Sequence, residues 1–297
     1  MRLVVLAAGQ GSRLLPLTAD RPKPLVSFLG RPILDWTLVA ARENGLTDIT
    51  VVGGYKSEGL DSFPVHLLRN PDYASTSMVG TMMAAEQWFS DGFVASYGDI
   101  VYRPELLRAL LASPAEISVV VDLDWRPYWE RRFGDPLLNA ESLRMTADGT
   151  IRSIGQTVNR IEDVQAQFVG LVAFRGRGVK ALKRAWVRAT TDAAYRRPIL
   201  GYRTSMAKLG LTDVLDELAV AGDIAVKAVA VHGGWVDIDT PEDLVAGEER
   251  WNESRASEFV PAGPGPTPPA AGSSGSGSSG SAPDGGSEPR FHPVRRW

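Results

Sequence analysis

Residues 2–25 read RLVVLAAGQGSRLLPLTADRPKPL. Arg2 to Ala7 has the length and apolar content of a buried first strand, and the glycines at 9 and 11 follow it at once. A glycine-rich turn directly after a first strand lets backbone N–H groups come close to a phosphate chain. Arg13 stands two residues beyond the second glycine, and Lys23 sits between Pro22 and Pro24. These two cations are placed to meet a triphosphate. The dinucleotide fingerprint is absent, because its third glycine would fall at Leu14, and no GK[ST] follows to make a Walker loop.

Working outward, short apolar runs alternate with helical patterns to about residue 255, the pattern of βα units around a mainly parallel sheet. Helices are expected at 32–44, 78–89, 176–190 and 213–221, and strands at 48–54, 64–69, 92–97 and 224–231. Gly98 and Asp99 then fall at a strand's carboxyl end, where open α/β sheets bind ligands. Residues 123–175 are less regular, with strands expected at 150–154 and 167–174, and are read as a small substrate lobe beside the main sheet. In GGWVDIDTPEDL, Thr240 is expected to cap a closing helix with Pro241 in its first turn and Asp243 completing a capping box. From 261 to 289, 27 of 29 residues are Pro, Gly, Ser, Ala or Thr. Such a segment buries too little apolar surface to offset its ordering entropy, so 261–297 is expected to be a disordered tail after a 1–255 domain.

Composition narrows the chemistry. The chain has 297 residues, 44% hydrophobic and 23% charged, as in globular proteins. It has no cysteine, which excludes disulfides, thiolate metal sites and cysteine nucleophiles. Only His66, His232 and His292 offer imidazole, at no metal-binding spacing, so any metal is expected to sit on carboxylates. A net charge of −3 provides no electrostatic footprint for nucleic acid, although residues 1–40 hold five basic side chains against two acidic ones. The N-terminal apolar run is too short for a signal peptide or a membrane span, and the chain is read as cytoplasmic, with no membrane partner.

The string from Leu6 to Leu25 resembles the opening signature of the sugar-phosphate nucleotidyltransferase superfamily. The resemblance extends to about residue 250, with Asp99 in SYGDIVY similar to the first metal aspartate and Asp237 in WVDIDTPEDL to the second, Asp239 beside it; a strand-end turn is the other reading of Asp99 and a cap for the closing helix that of Asp239. It implies a Rossmann-like α/β fold, a Mg²⁺ cofactor on Asp99, Asp237 and Asp239, and nucleotide binding by Leu6, Ala7, Ala8, Gly9, Gly11, Ser12, Arg13 and Lys23. Arg13 and Lys23 would then be catalytic. NPDYASTSMVGTMMAA resembles the branch that transfers cytidylyl groups from CTP to small phosphate or phosphonate acceptors. Ser77 stands where that branch commonly has Asn, and Thr76, Ser77 and Thr81 are base-side candidates, with helix capping as their other reading. Glu141 and Asp213 resemble acidic substrate-side positions of the branch, with the start of a helix capped by Thr212 as the other reading of Asp213.

DLDWRPYWERRFGDP interleaves Trp125, Tyr128 and Trp129 with Arg126, Arg131 and Arg132. Aromatic faces suit a quaternary ammonium such as phosphocholine's, whereas paired guanidinium groups suit a phosphonate with a further anionic group, such as phosphonoformate. The arginines favour the second reading, with Arg131 and Arg132 as the clamp, and a packed aromatic cluster with solvated arginines is the other way to read the stretch. A hexose-1-phosphate nucleotidyltransferase is the nearest rival. A non-catalytic nucleotide-binding regulator would be expected to lack some of Asp99, Asp237, Arg13 and Lys23, and all four are present. A dehydrogenase would need an acidic residue at the end of the second strand, where Gly53 and Gly54 stand.

Overall fold

The computed structural model describes residues 1–191 and 209–256. The element order is β1 (Arg2–Ala7), β2 (Ser27–Phe28), β3 (Arg31–Pro32), α1 (Ile33–Glu43), β4 (Ile49–Gly53), β5 (His66–Arg69), α2 (Met78–Met83), β6 (Gly92–Tyr97), β7 (Ile100–Tyr102), α3 (Pro104–Ala112) and β8 (Ile117–Asp122). It continues through α4 (Trp125–Phe133), β9 (Glu141–Met145), β10 (Ile151–Thr157), β11 (Gln167–Arg175), α5 (Arg177–Thr191), α6 (Leu211–Ala221), β12 (Val226–Val231), β13 (Trp235–Asp237) and α7 (Pro241–Ala256). The expected tail from 261 lies outside the described residues.

Seven strands form the central sheet in the order β12-β8-β11-β6-β1-β4-β5. All neighbours run parallel except β11, which is antiparallel to both β6 and β8. Both faces are covered, and β1 shows why its run is continuously apolar. Leu3, Val5 and Ala7 pack into one core with residues of α1, α3 and α4, while Val4 and Leu6 pack into the other with residues of α2, α5 and α6. The α/β expectation therefore holds.

Several boundaries differ. The span read as a lobe is divided: β11 inserts into the middle of the main sheet, and the hairpin of β9 and β10 stands beside it as a separate two-stranded sheet. The helix expected over 78–89 ends at Met83, and a tighter turn at Glu86–Trp88 follows. That turn brings the chain back so that Phe89 stacks on Phe93 of β6 at 3.8 Å. At the closing helix the Asp243 carboxylate accepts from the N–H groups of Asp239 and Thr240, both at 2.9 Å, which is the acidic half of the expected capping box, while the Asp243 N–H donates to the Thr240 carbonyl at 3.1 Å. Among the described residues no helix is long and apolar enough to cross a membrane.

Candidate active site

The carboxyl ends of β1 and β6 meet the loop around β13, and there the predicted residues converge. Gly11 has φ +64°, and a Cβ at this position would lie 3.1 Å from the Lys23 Cβ and 3.2 Å from Thr18 Cγ2. Glycine is thus required twice, for the left-handed backbone and for the close approach of the loop to Lys23. Thr18 Oγ1 donates to the Gly11 carbonyl at 2.8 Å and closes the loop. Leu6, Ala7 and Ala8 are buried at its root, while Gly9 and Ser12 are exposed. Gly54 separates the loop from the 70–77 segment. A Cβ there would lie 2.6 Å from the Ala8 carbonyl and 2.5 Å from the Tyr73 Cβ.

Lys23 is buried, and its Nζ donates to Asp99 Oδ2 at 2.8 Å and Asp239 Oδ1 at 2.6 Å. Arg13 reaches the same Asp239 Oδ1 at 2.9 Å. Burial opposes the Lys23 ammonium, but Asp99, Asp239 and Asp237 outweigh it and raise its pKa. Burial and the neighbouring Asp239 push the Asp237 carboxyl well above the usual range, against the pull of Arg132. Asp239 behaves oppositely, because Lys23 and Arg13 overcome its burial and hold it low.

Ligand atoms of Asp99, Asp237 and Asp239 all lie within 4.8 Å of one another. Asp99 Oδ1 is buried without a hydrogen-bond partner, a costly state for a carboxylate oxygen unless it has a ligand to meet. An all-oxygen set with this orphaned acceptor fits a hard divalent cation such as Mg²⁺.

The expected arginine clamp is corrected. Arg131 turns to the closing helix and pairs with Glu253 through two bonds of 2.8 and 3.1 Å. The Arg132 side chain is 0% exposed and bonds Asp237, Asp239 and Asp243, so it meets the carboxylates from behind and has no surface to offer an acceptor. Trp125, Tyr128 and Trp129 are buried core residues rather than a cage open to choline. Their polar tips are used internally: Tyr128 Oη accepts from the Asp237 N–H and donates to the Asp237 carbonyl, each at 3.1 Å, and Trp129 Nε1 donates to the Asn139 carbonyl.

On the base side, Ser77 caps α2, its Oγ accepting from the Gly80 N–H at 3.1 Å. Asn70 Nδ2 donates to Thr76 Oγ1 at 2.8 Å and to Thr81 Oγ1 at 3.4 Å, so all three candidates hold the loop in shape. Asp213 lies in the first turn of α6 and accepts from the Gly210 N–H at 2.8 Å. Tyr97, two residues before Asp99, was not among the predicted residues. Burial raises its phenol pKa, and Glu141, Asp99, Asp237 and Asp213 raise it further, so four carboxylates from different elements bear on one hydroxyl. An aromatic at the carboxyl end of a predicted strand was the available signal.

A domain model described as MobA-like NTP transferase matches residues 3–161. CTP:phosphoglutamine cytidylyltransferase of Campylobacter jejuni is 32% identical over 255 residues, covering 82% of this chain and 98% of that protein. CMP-5'-(3-aminopropyl)phosphonate synthase of Streptomyces rubellomurinus is 33% identical over 274 residues, covering 88% of this chain and 40% of its own length. The inositol-1-phosphate CTP transferase from T. maritima shares the fold, with a TM-score of 0.64 at 19% identity over 85% of this chain and 95% of that one.

Proposed function

We infer the reaction of this protein from one premise: the chain belongs to the MobA-like NTP transferase family and is a nucleotidyltransferase. On that premise it moves a cytidylyl group from CTP to a small phosphate or phosphonate acceptor. The observation that carries the reading is the buried contact of Lys23 with Asp99 and Asp239 beside the Gly11 loop, which joins a phosphate-binding turn to a carboxylate metal cluster.

An acceptor oxygen attacks the α-phosphorus in line. The new P–O bond forms as the bond bridging the α- and β-phosphates breaks, and its electron pair leaves with pyrophosphate. A phosphate or phosphonate whose second pKa is near ~6 is already anionic at pH 7, so no general base is needed. Mg²⁺ held by Asp99, Asp237 and Asp239 would, when bound, withdraw charge from the phosphates and draw the two anions together. Gly9, Gly11 and Ser12 present the loop's backbone to the triphosphate, and Arg13 and Lys23 stabilise the charge that develops on the leaving group.

The acceptor reading changes with the arginines. With Arg131 and Arg132 committed to carboxylates, no clamp by these two supports a second anionic group, and Glu141, Asp99, Asp237 and Asp213 add to burial in raising the phenol pKa of Tyr97. This favours an acceptor carrying a cationic nitrogen, such as 2-aminoethylphosphonate, with Glu141 and Asp213 at its amine end. An aminopropyl phosphonate is also what the name of the Streptomyces relative specifies. Incubation with CTP, Mg²⁺ and 2-aminoethylphosphonate should yield pyrophosphate and a CMP adduct by mass spectrometry. Failure with every phosphonate and phosphomonoester acceptor would overturn the reading.

A further inference from the structure

Arg132 lies deeper than any surface role needs. Its side chain is 0% exposed, its Nη1 is 2.9 Å from Asp237 Oδ2, its Nη2 is 3.4 Å from Asp239 Oδ2, and its Nε and Nη2 grip both oxygens of Asp243 at 2.8 and 2.9 Å. The guanidinium carbon also lies 4.8 Å from the centroid of the Phe133 ring and 5.3 Å from that of Tyr128. A planar fork held between rings and aimed at three carboxylates at once is geometry that an ammonium cannot reproduce.

We infer that Arg132 is a positioning residue that fixes Asp237 and Asp239 as ligands and occupies the rear of their cluster, so that the site takes one divalent cation and not two. The inference rests on the metal reading above. Three observations converge on it.

First, Arg132 and Tyr128 are four residues apart on α4 and so share a face. Tyr128 pins the main chain of Asp237 while Arg132 pins its carboxylate, which leaves that ligand little freedom. Second, Asp243 couples the guanidinium to the backbone of the next ligand, because the same carboxylate that Arg132 grips accepts from the Asp239 N–H. Third, Arg132 takes the Oδ2 atoms of both Asp237 and Asp239, which a second cation bridging them from behind would need. The charges agree. Once a metal displaces the proton that burial favours on Asp237, four carboxylates, of Asp99, Asp237, Asp239 and Asp243, face three cations, of Arg13, Lys23 and Arg132. One divalent ion takes the sum from −1 to +1, and a second would take it to +3 in a largely buried space, which is strongly unfavourable.

The test is direct titration with Mn²⁺ alone, bound and free ion being distinguished by electron paramagnetic resonance without nucleotide or turnover. Wild-type protein should bind one Mn²⁺ per chain, and two sites of similar affinity would overturn the inference. Arg132→Lys, confirmed folded by circular dichroism, should bind Mn²⁺ about 10- to 100-fold more weakly, the usual loss when the outer partner of a metal ligand is removed. Its bound-Mn²⁺ spectrum should broaden as the ligand geometry loosens. Unchanged affinity and spectrum in Arg132→Lys would also overturn it. If that variant does not fold, Asp243→Asn should show the same weakening, and wild-type affinity there would overturn the inference in the same way. Asp99→Asn separates the two levels. Loss of Mn²⁺ binding there beside an unaffected Arg132→Lys defeats this inference alone, whereas wild-type binding in Asp99→Asn defeats the metal reading beneath it.

Discussion

Lys23 and Asp99, 76 positions apart in the chain, meet through a 2.8 Å buried ion pair that joins the first loop of the sheet to the carboxyl end of β6. Each partner satisfies the other's charge where water is scarce. On the proposed mechanism an entering polyphosphate would offer the ammonium a competing anion and leave Asp99 to a metal, so that the pair would link the resting site to its working state.

Replacing Lys23 by Ala should lower turnover by ~10² or more, because charge developing in the transition state loses its partner. The KM for the acceptor should change far less. Steady-state pyrophosphate release decides this, and near wild-type turnover in a folded variant would remove Lys23 from catalysis.

The Gly11 loop provides an independent probe. Gly11→Ala should reduce turnover without unfolding the protein, because a Cβ at φ +64° is strained and presses on the side chain of Lys23. Kinetics and a thermal melt on the same sample check both halves, and full activity would mean that the approach of loop to lysine is unimportant.

Stability rests elsewhere. Asp122 is 0% exposed, bonds Arg250, and accepts from Trp235 Nε1 and the Gly233 N–H, both at 2.9 Å. It thereby ties β8 to the turn before β13 and to α7. Asp122→Ala strands the buried Arg250 charge and should cost about 3–5 kcal/mol in denaturant unfolding. A loss below ~1 kcal/mol would show that the network is dispensable.

For the acceptor, Glu141→Gln should raise the KM for 2-aminoethylphosphonate at least several-fold and leave that for CTP unchanged. Equal effects on both would place Glu141 away from the amine.

The glycine loop after β1 and the meeting of Asp99, Asp237 and Asp239 are legible in the sequence because each stands at a strand end or in a motif whose spacing is local. The arginines of α4 are not. Arg131 and Arg132 look equivalent among aromatics, and only the packing of α4 against α7 and β13 shows that one meets Glu253 and the other Asp237, Asp239 and Asp243. Tertiary ion pairing across more than 100 residues leaves no periodic signature. β11 is recognisable as a strand but not placeable for a similar reason, since nothing in Gln167–Arg175 states which strands it joins. Tyr97 escapes notice because a tyrosine ending a buried strand looks like any core aromatic until the carboxylates around it are seen.

Metal-dependent cytidylyl transfer to a small anionic acceptor can be measured as pyrophosphate release with each of the four nucleoside triphosphates against 2-aminoethylphosphonate, phosphocholine, phosphonoformate and glucose 1-phosphate, with Mg²⁺ and with EDTA. The rate should be highest with CTP and an amine-bearing acceptor, and no release should occur in EDTA. Highest activity with glucose 1-phosphate, or undiminished activity in EDTA, would rule out this reaction.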